Sequence, residues 1–110
     1  MPDFADLRDR IDAICARVAS GCPDEGLLAE IEDVLAEGYV CALRGDRCRR
    51  RLQKQLDALV EGSDGVGIEQ LRAVAREQRL VWEATQELRA KLAVMRAHSA
   101  ALDNGQLRLA

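Results

Sequence analysis

Aromatic residues and threonine are scarce in this chain of 110 residues, which holds one Phe, one Tyr, one Trp and one Thr. That scarcity argues against a β-sheet. One histidine gives no paired-imidazole spacing for a metal. No apolar run approaches the roughly 18 residues a membrane span requires. The start, "MPDFADLRDRID", is charged from its third residue and has no apolar signal-peptide core, so a cytoplasmic chain with reduced thiols is expected. No glycine-rich phosphate loop follows a strand, because no strand is legible. Paired carboxylates such as Asp33 with Glu37 and Glu83 with Glu87 fall on polar faces, where they read as solvated neighbours rather than a catalytic dyad. An enzyme, a cofactor, a metal and a small-molecule substrate are therefore not expected.

What remains is rich in Ala, Leu, Arg and Glu, a helix-forming mixture. The basic residues are 14 Arg against 2 Lys, a bias typical of GC-rich bacterial coding. The expected fold is all-α: a long antiparallel, coiled-coil-like helical hairpin with a shorter N-terminal helix, in a single domain. The first helix is expected over about 3–18, capped by Asp3, with Phe4, Leu7, Ile11, Ile14 and Val18 inward. The second, about 27–60, carries an inner stripe from Ile31 and Val34 through Gly38, Cys41, Ala42, Gly45 and Cys48 to Leu52, Leu56 and Leu59. The turn "EGSDGVG" (61–67) leads to a third helix over about 68–101, and "DNG" (103–105) supplies its C-cap before a loose tail. Its inner stripe includes Leu71, Val74, Gln78, Val81, Trp82, Thr85, Leu88, Leu92, Met95 and Leu102.

Matching the midpoints of the two long helices pairs residues whose numbers sum to about 128, and the first helix pairs with the second near a sum of about 45. Gly45 then faces Glu83 and Trp82. A mid-helix glycine weakens a helix by about 1 kcal/mol relative to alanine. Its presence is explained if small residues on the second helix admit the Trp82 indole; a kink is the alternative. Cys15–Cys22 and Cys41–Cys48 share the spacing C-x6-C. Seven helical residues separate two Cα atoms by roughly 10 Å, too far for a disulfide or a shared metal. Structural thiols are expected. Arg44-Gly45-Asp46 lies inside a helix with its glycine inward, unlike an adhesion loop.

Two surface features point to partners. Arg44, Arg47, Arg50, Arg51 and Lys54 fall within an arc of about 120° opposite the inner stripe, and Arg72, Arg76 and Arg79 lie on the same half of the hairpin. Residues 44–79 carry nine basic and six acidic side chains, whereas 24–43 with 80–103 carry three and nine, so charge is polarised along the molecule. Beside the arginines stand Tyr39, Val40 and Leu43, and Leu80 on the third helix also lies outside the core stripe. Exposed apolar residues with a polar rim mark an interface.

The expected function is thus protein–protein interaction as a small adaptor, regulatory subunit or chaperone. Self-association as a homodimer or larger helical bundle would bury the apolar residues. An acidic protein or weak nucleic-acid contact is the alternative for the basic face. The overall charge of −3 and the absence of a DNA-reading motif disfavour a dedicated nucleic-acid binder. In helix length and heptad pattern, residues 27–101 resemble the small helical-hairpin chaperones of flagellar and type III export. That resemblance implies a hairpin holding a partner on an exposed apolar face and assigns no individual residue.

Overall fold

Periodicity of three and four along the whole chain produces three helices, and the computed structural model contains α1 (Ala5–Ala19), α2 (Leu27–Glu61) and α3 (Ile68–Asp103). It describes residues 4–21, 26–62 and 67–103. Asp3, Cys22, Pro23, the interior of the α2–α3 connection, the Asn104-Gly105 cap and the tail lie outside the described residues. Among those described, no helix is long and apolar enough to cross a membrane.

Phe4 occupies the N-cap position of α1 without a side-chain cap bond, and its carbonyl accepts the Arg8 N–H at 2.8 Å. At the other end Ser20 donates its N–H to the Ala16 carbonyl and Gly21 turns the chain with φ +75°. That left-handed conformation suits glycine because no Cβ clashes with the backbone.

The two long helices pack antiparallel, and α1 lies along one side of both. Arg10 and Arg17 of α1 pair with Glu37 and Glu30 of α2. Arg8 reaches Glu87 of α3 at 3.5 Å, and Asp12 meets Lys91 at 2.7 Å. Partner numbers thus sum to 47 between α1 and α2 and differ by 79 between α1 and α3, so α1 runs against α2 and with α3. Level with Ala42, α1 begins. Beyond that point the molecule, 65 × 19 × 16 Å, is two helices thick.

The core divides accordingly. Leu7, Ile11 and Ile14 of α1 pack with Leu27, Ile31, Val34 and Ala42 of α2 and with Leu88, Leu92, Met95 and Leu102 of α3. Toward the connection, the buried apolar side chains among the described residues are Leu52, Val74 and Val81, with Cys48, Leu56 and Leu59 packed partly against them.

Trp82 does not enter this core; it is 44% exposed. The register across the hairpin sums to about 130 rather than 128, so Gly38 faces Leu92 and Gly45 faces Thr85. Matching helix midpoints sets a register only to within a turn, and a shift of two residues carries Trp82 to the edge of the interface. Thr85 takes its place. Its hydroxyl, buried, donates to the Val81 carbonyl at 2.7 Å, a satisfied arrangement for the chain's one threonine. α2 runs unbroken as helix through both glycines.

A Cβ at Gly45 would overlap the Thr85 hydroxyl and lie 3.2 Å from the Thr85 Cβ and Cγ2. Overpacking of this kind opposes the gain of about 1 kcal/mol that alanine brings to a helix. Gly45→Ala is expected to destabilise the fold by about 1–2 kcal/mol in urea unfolding, and Thr85→Ala in the same chain should recover much of the loss. A stabilised Gly45→Ala would refute the close approach.

Candidate functional site

With α1 occupying one side of the hairpin, four surfaces are left: the outward faces of α2 and of α3, the side opposite α1, and the α1 side beyond the end of α1.

The outward face of α2 holds most of the residues expected from sequence. Tyr39, Val40 and Leu43 are 41%, 49% and 53% exposed. They continue directly into Arg47, Arg50 and Lys54, all exposed, because steps of three and four keep side chains on one face of a helix. Arg47, Arg50, Arg51 and Lys54 surround a single surface depression. Leu80 is 43% exposed but belongs elsewhere: it stands on α3, in the heptad row of Glu87, which faces α1. Arg72, Arg76 and Arg79 form a separate exposed cluster on α3. None of the eight basic residues expected from sequence (Arg44, Arg47, Arg50, Arg51, Lys54, Arg72, Arg76 and Arg79) forms an ion pair with a carboxylate of the described residues. By contrast Arg8, Arg10, Arg17, Arg89 and Lys91 all do.

The side opposite α1 carries a ladder that the sequence reading did not identify. Arg96 donates from Nε to the Tyr39 hydroxyl at 3.0 Å, with its guanidinium 5.7 Å from the ring centroid. Arg89 grips Asp46 with both Nη atoms, one bond being 3.1 Å. Arg49 lies over the Trp82 ring at 4.9 Å, and Gln78 donates to Gln53 at 2.6 Å. The Arg49 Nε is buried and has no hydrogen-bond partner among the described residues, so the indole face is what its guanidinium has gained. A signal was present: Tyr39 and Asp46 are seven apart, as are Arg89 and Arg96, so one register satisfies both pairs. Between these rungs Ala42, Leu43 and Leu92 line a shallow groove with Tyr39, Arg89 and Arg96.

Hydrogen bonding from Arg89 holds the Asp46 carboxyl below its ordinary range, with the charges of Arg89, Arg49 and Arg50 acting the same way against partial burial. Because the folded-state pKa is depressed, the pair stabilises the fold above the ordinary carboxylate value, and that stabilisation is lost as pH falls through the folded value. Asp46→Asn should therefore be less stable than the parent at neutral pH, by up to about 1 kcal/mol for a pair this open to solvent. The gap should close as pH falls below about 4 in acid-unfolding curves; a constant gap would exclude the linkage.

Cys15, Cys41 and Cys48 are free thiols, each partly buried. Burial, reinforced by the Asp12 charge and opposed by Lys91, pushes the Cys15 thiol up, which keeps it protonated and unreactive. Among the described residues no group of three His, Cys, Asp or Glu side chains is placed to hold a metal ion. No protein-family model, curated protein or solved structure matches the chain.

Proposed function

We propose that the protein is a non-enzymatic, cytoplasmic protein–protein interaction module that self-associates through the outward face of α2. The observation that carries this reading is the exposed pair Val40 and Leu43 at the middle of that face, with Tyr39 at its edge and charge of opposite sign on either side. Glu32 and Asp33 lie exposed toward the start of α2, and Arg47, Arg50, Arg51 and Lys54 toward its end. A second copy laid antiparallel about Leu43 brings Val40 and Leu43 of both copies together. The same placement sets Glu32 and Asp33 of each against Arg50, Arg51 and Lys54 of the other. Such a patch is complementary to itself, as an isologous two-fold interface requires. The resulting bundle also adds a neighbour to a hairpin whose turn half has little core of its own. Adaptor, regulatory and chaperone roles all use a helical assembly of this kind.

Sedimentation equilibrium at tens of micromolar should give about twice the 12.1 kDa chain mass. Leu43→Glu should return the protein to monomer with its helical circular dichroism intact. A parent that is monomeric and unaffected by that substitution would sink the reading.

The unpaired arginines favour a second reading, contact with nucleic acid. Titration with a generic duplex or RNA at two salt concentrations separates it from the first. Binding that weakens steeply with salt and vanishes in an Arg47/Arg50/Arg51→Glu triple variant would support it. No binding at low salt would dismiss it.

A further inference from the structure

Among the described residues, the α1 side of the hairpin is a groove that α1 covers over only part of its length. α1 spans 15 residues, about 22 Å, against about 52 Å for the 35 residues of α2. Beyond Ala42 the groove continues with Cys48 and Leu52 as its floor and Arg44, Arg51, Gln55 and Glu77 along its edges. By the heptad spacing, Leu80 stands on the α3 edge two turns beyond Glu87.

The occupied half shows what the groove takes. It holds an amphipathic helix by an apolar stripe of Leu7, Ile11 and Ile14 and by flanking charges. Arg10, Asp12 and Arg17 of α1 meet Glu37, Lys91 and Glu30. Two heptads nearer the connection, the positions equivalent to Glu30, Glu37 and Lys91 are Arg44, Arg51 and Glu77. All three have changed sign. A fourth, Glu87, becomes Ala73. A 15-residue helix shifted by that distance would abut the start of α1, lie over Cys48 and Leu52, and need the reverse of α1's charges.

We propose that this open half of the groove binds an amphipathic helix of a partner protein, collinear with α1, bearing acidic residues seven apart that pair with Arg44 and Arg51 and a basic residue that pairs with Glu77. Its apolar stripe covers Cys48, Leu52 and the exposed Leu80. Charge complementarity selects this occupant over a second α1, whose Arg10, Asp12 and Arg17 would each meet a like charge.

The test uses the intact protein and a synthetic peptide of residues 4–19 with Arg10→Glu, Asp12→Lys, Cys15→Ser and Arg17→Glu. The control peptide carries Cys15→Ser alone. Fluorescence anisotropy should show the charge-reversed peptide binding at least tenfold more tightly than the control, with Cys48 protected from alkylation in the complex. Arg44→Glu/Arg51→Glu, both exposed positions, should reverse the preference. Equal binding of the two peptides, no binding of the reversed peptide at 1 mM, or a preference that survives the double substitution would each overturn the proposal. So would reversed-peptide binding that disappears as the protein is concentrated, which would assign the groove to a second copy.

Discussion

The close approach of α2 to α3 at Gly38 and Gly45 is the constraint from which the other surfaces follow. With no Cβ at these two positions, the Leu92 side chain and the Thr85 hydroxyl occupy space that any other residue would fill. A helix pair held by such fits has little freedom to slide, because a one-residue slip rotates every inner side chain by about 100°. That register aligns Asp46 with Arg89, Tyr39 with Arg96 and Arg49 with Trp82 on one side of the hairpin. On the other side it brings the acids of α2 and α3 to where α1 can meet them. The two glycines weaken the helix locally, and the burial of Leu92 and Thr85 between the helices offsets that.

Charge then divides the molecule into two halves with different needs. In the half that holds α1, Arg8, Arg10, Arg17 and Lys91 meet carboxylates across helices, although acidic side chains outnumber basic ones there. In the half near the connection the arginines of α2 and α3 project without carboxylate partners among the described residues. The helix macrodipole does not account for this, because its effect falls off within the last turn and α2 carries no basic residue there. Arg72 and Arg76 likewise lie beyond the first turn of α3, which begins at Ile68.

Most of the architecture was legible because hydrophobic period and turn chemistry agree along the chain. Three helices, their order and nearly every inner residue follow from steps of three and four, and the absence of period-two alternation with so few aromatics disfavours a sheet. Trp82 was misread for a definable reason. Size alone made it the natural match for a glycine, but its position depends on a register that helix lengths leave open by about a turn. Thr85 is the better match because a short branched side chain whose hydroxyl bonds back to its own helix needs only the space a missing Cβ leaves. The exposed set was legible as individual residues but not as a surface. Tyr39, Val40 and Leu43 are neighbours on one helix, whereas Leu80 belongs to the groove on the α1 side. Separating them required knowing where α1 lies, which its ion pairs with Glu30, Glu37, Glu87 and Lys91 determine.

The distribution of buried side chains ties recognition to stability. The half of the hairpin with unpaired charge is also the half whose core consists of Leu52, Val74 and Val81. A region with few buried apolar contacts opens at lower free energy than the rest of a fold. Any helix that packs there, from a second copy or from another protein, adds apolar contact where the hairpin has least of it. The free energy of such binding appears directly as stabilisation of the bound half. Near the chain termini α1 already does this within the molecule, sealing Leu88, Leu92 and Met95 between three helices. The hairpin therefore contains one completed three-helix segment and one segment with the same groove, the opposite rim charge and no third helix of its own among the described residues.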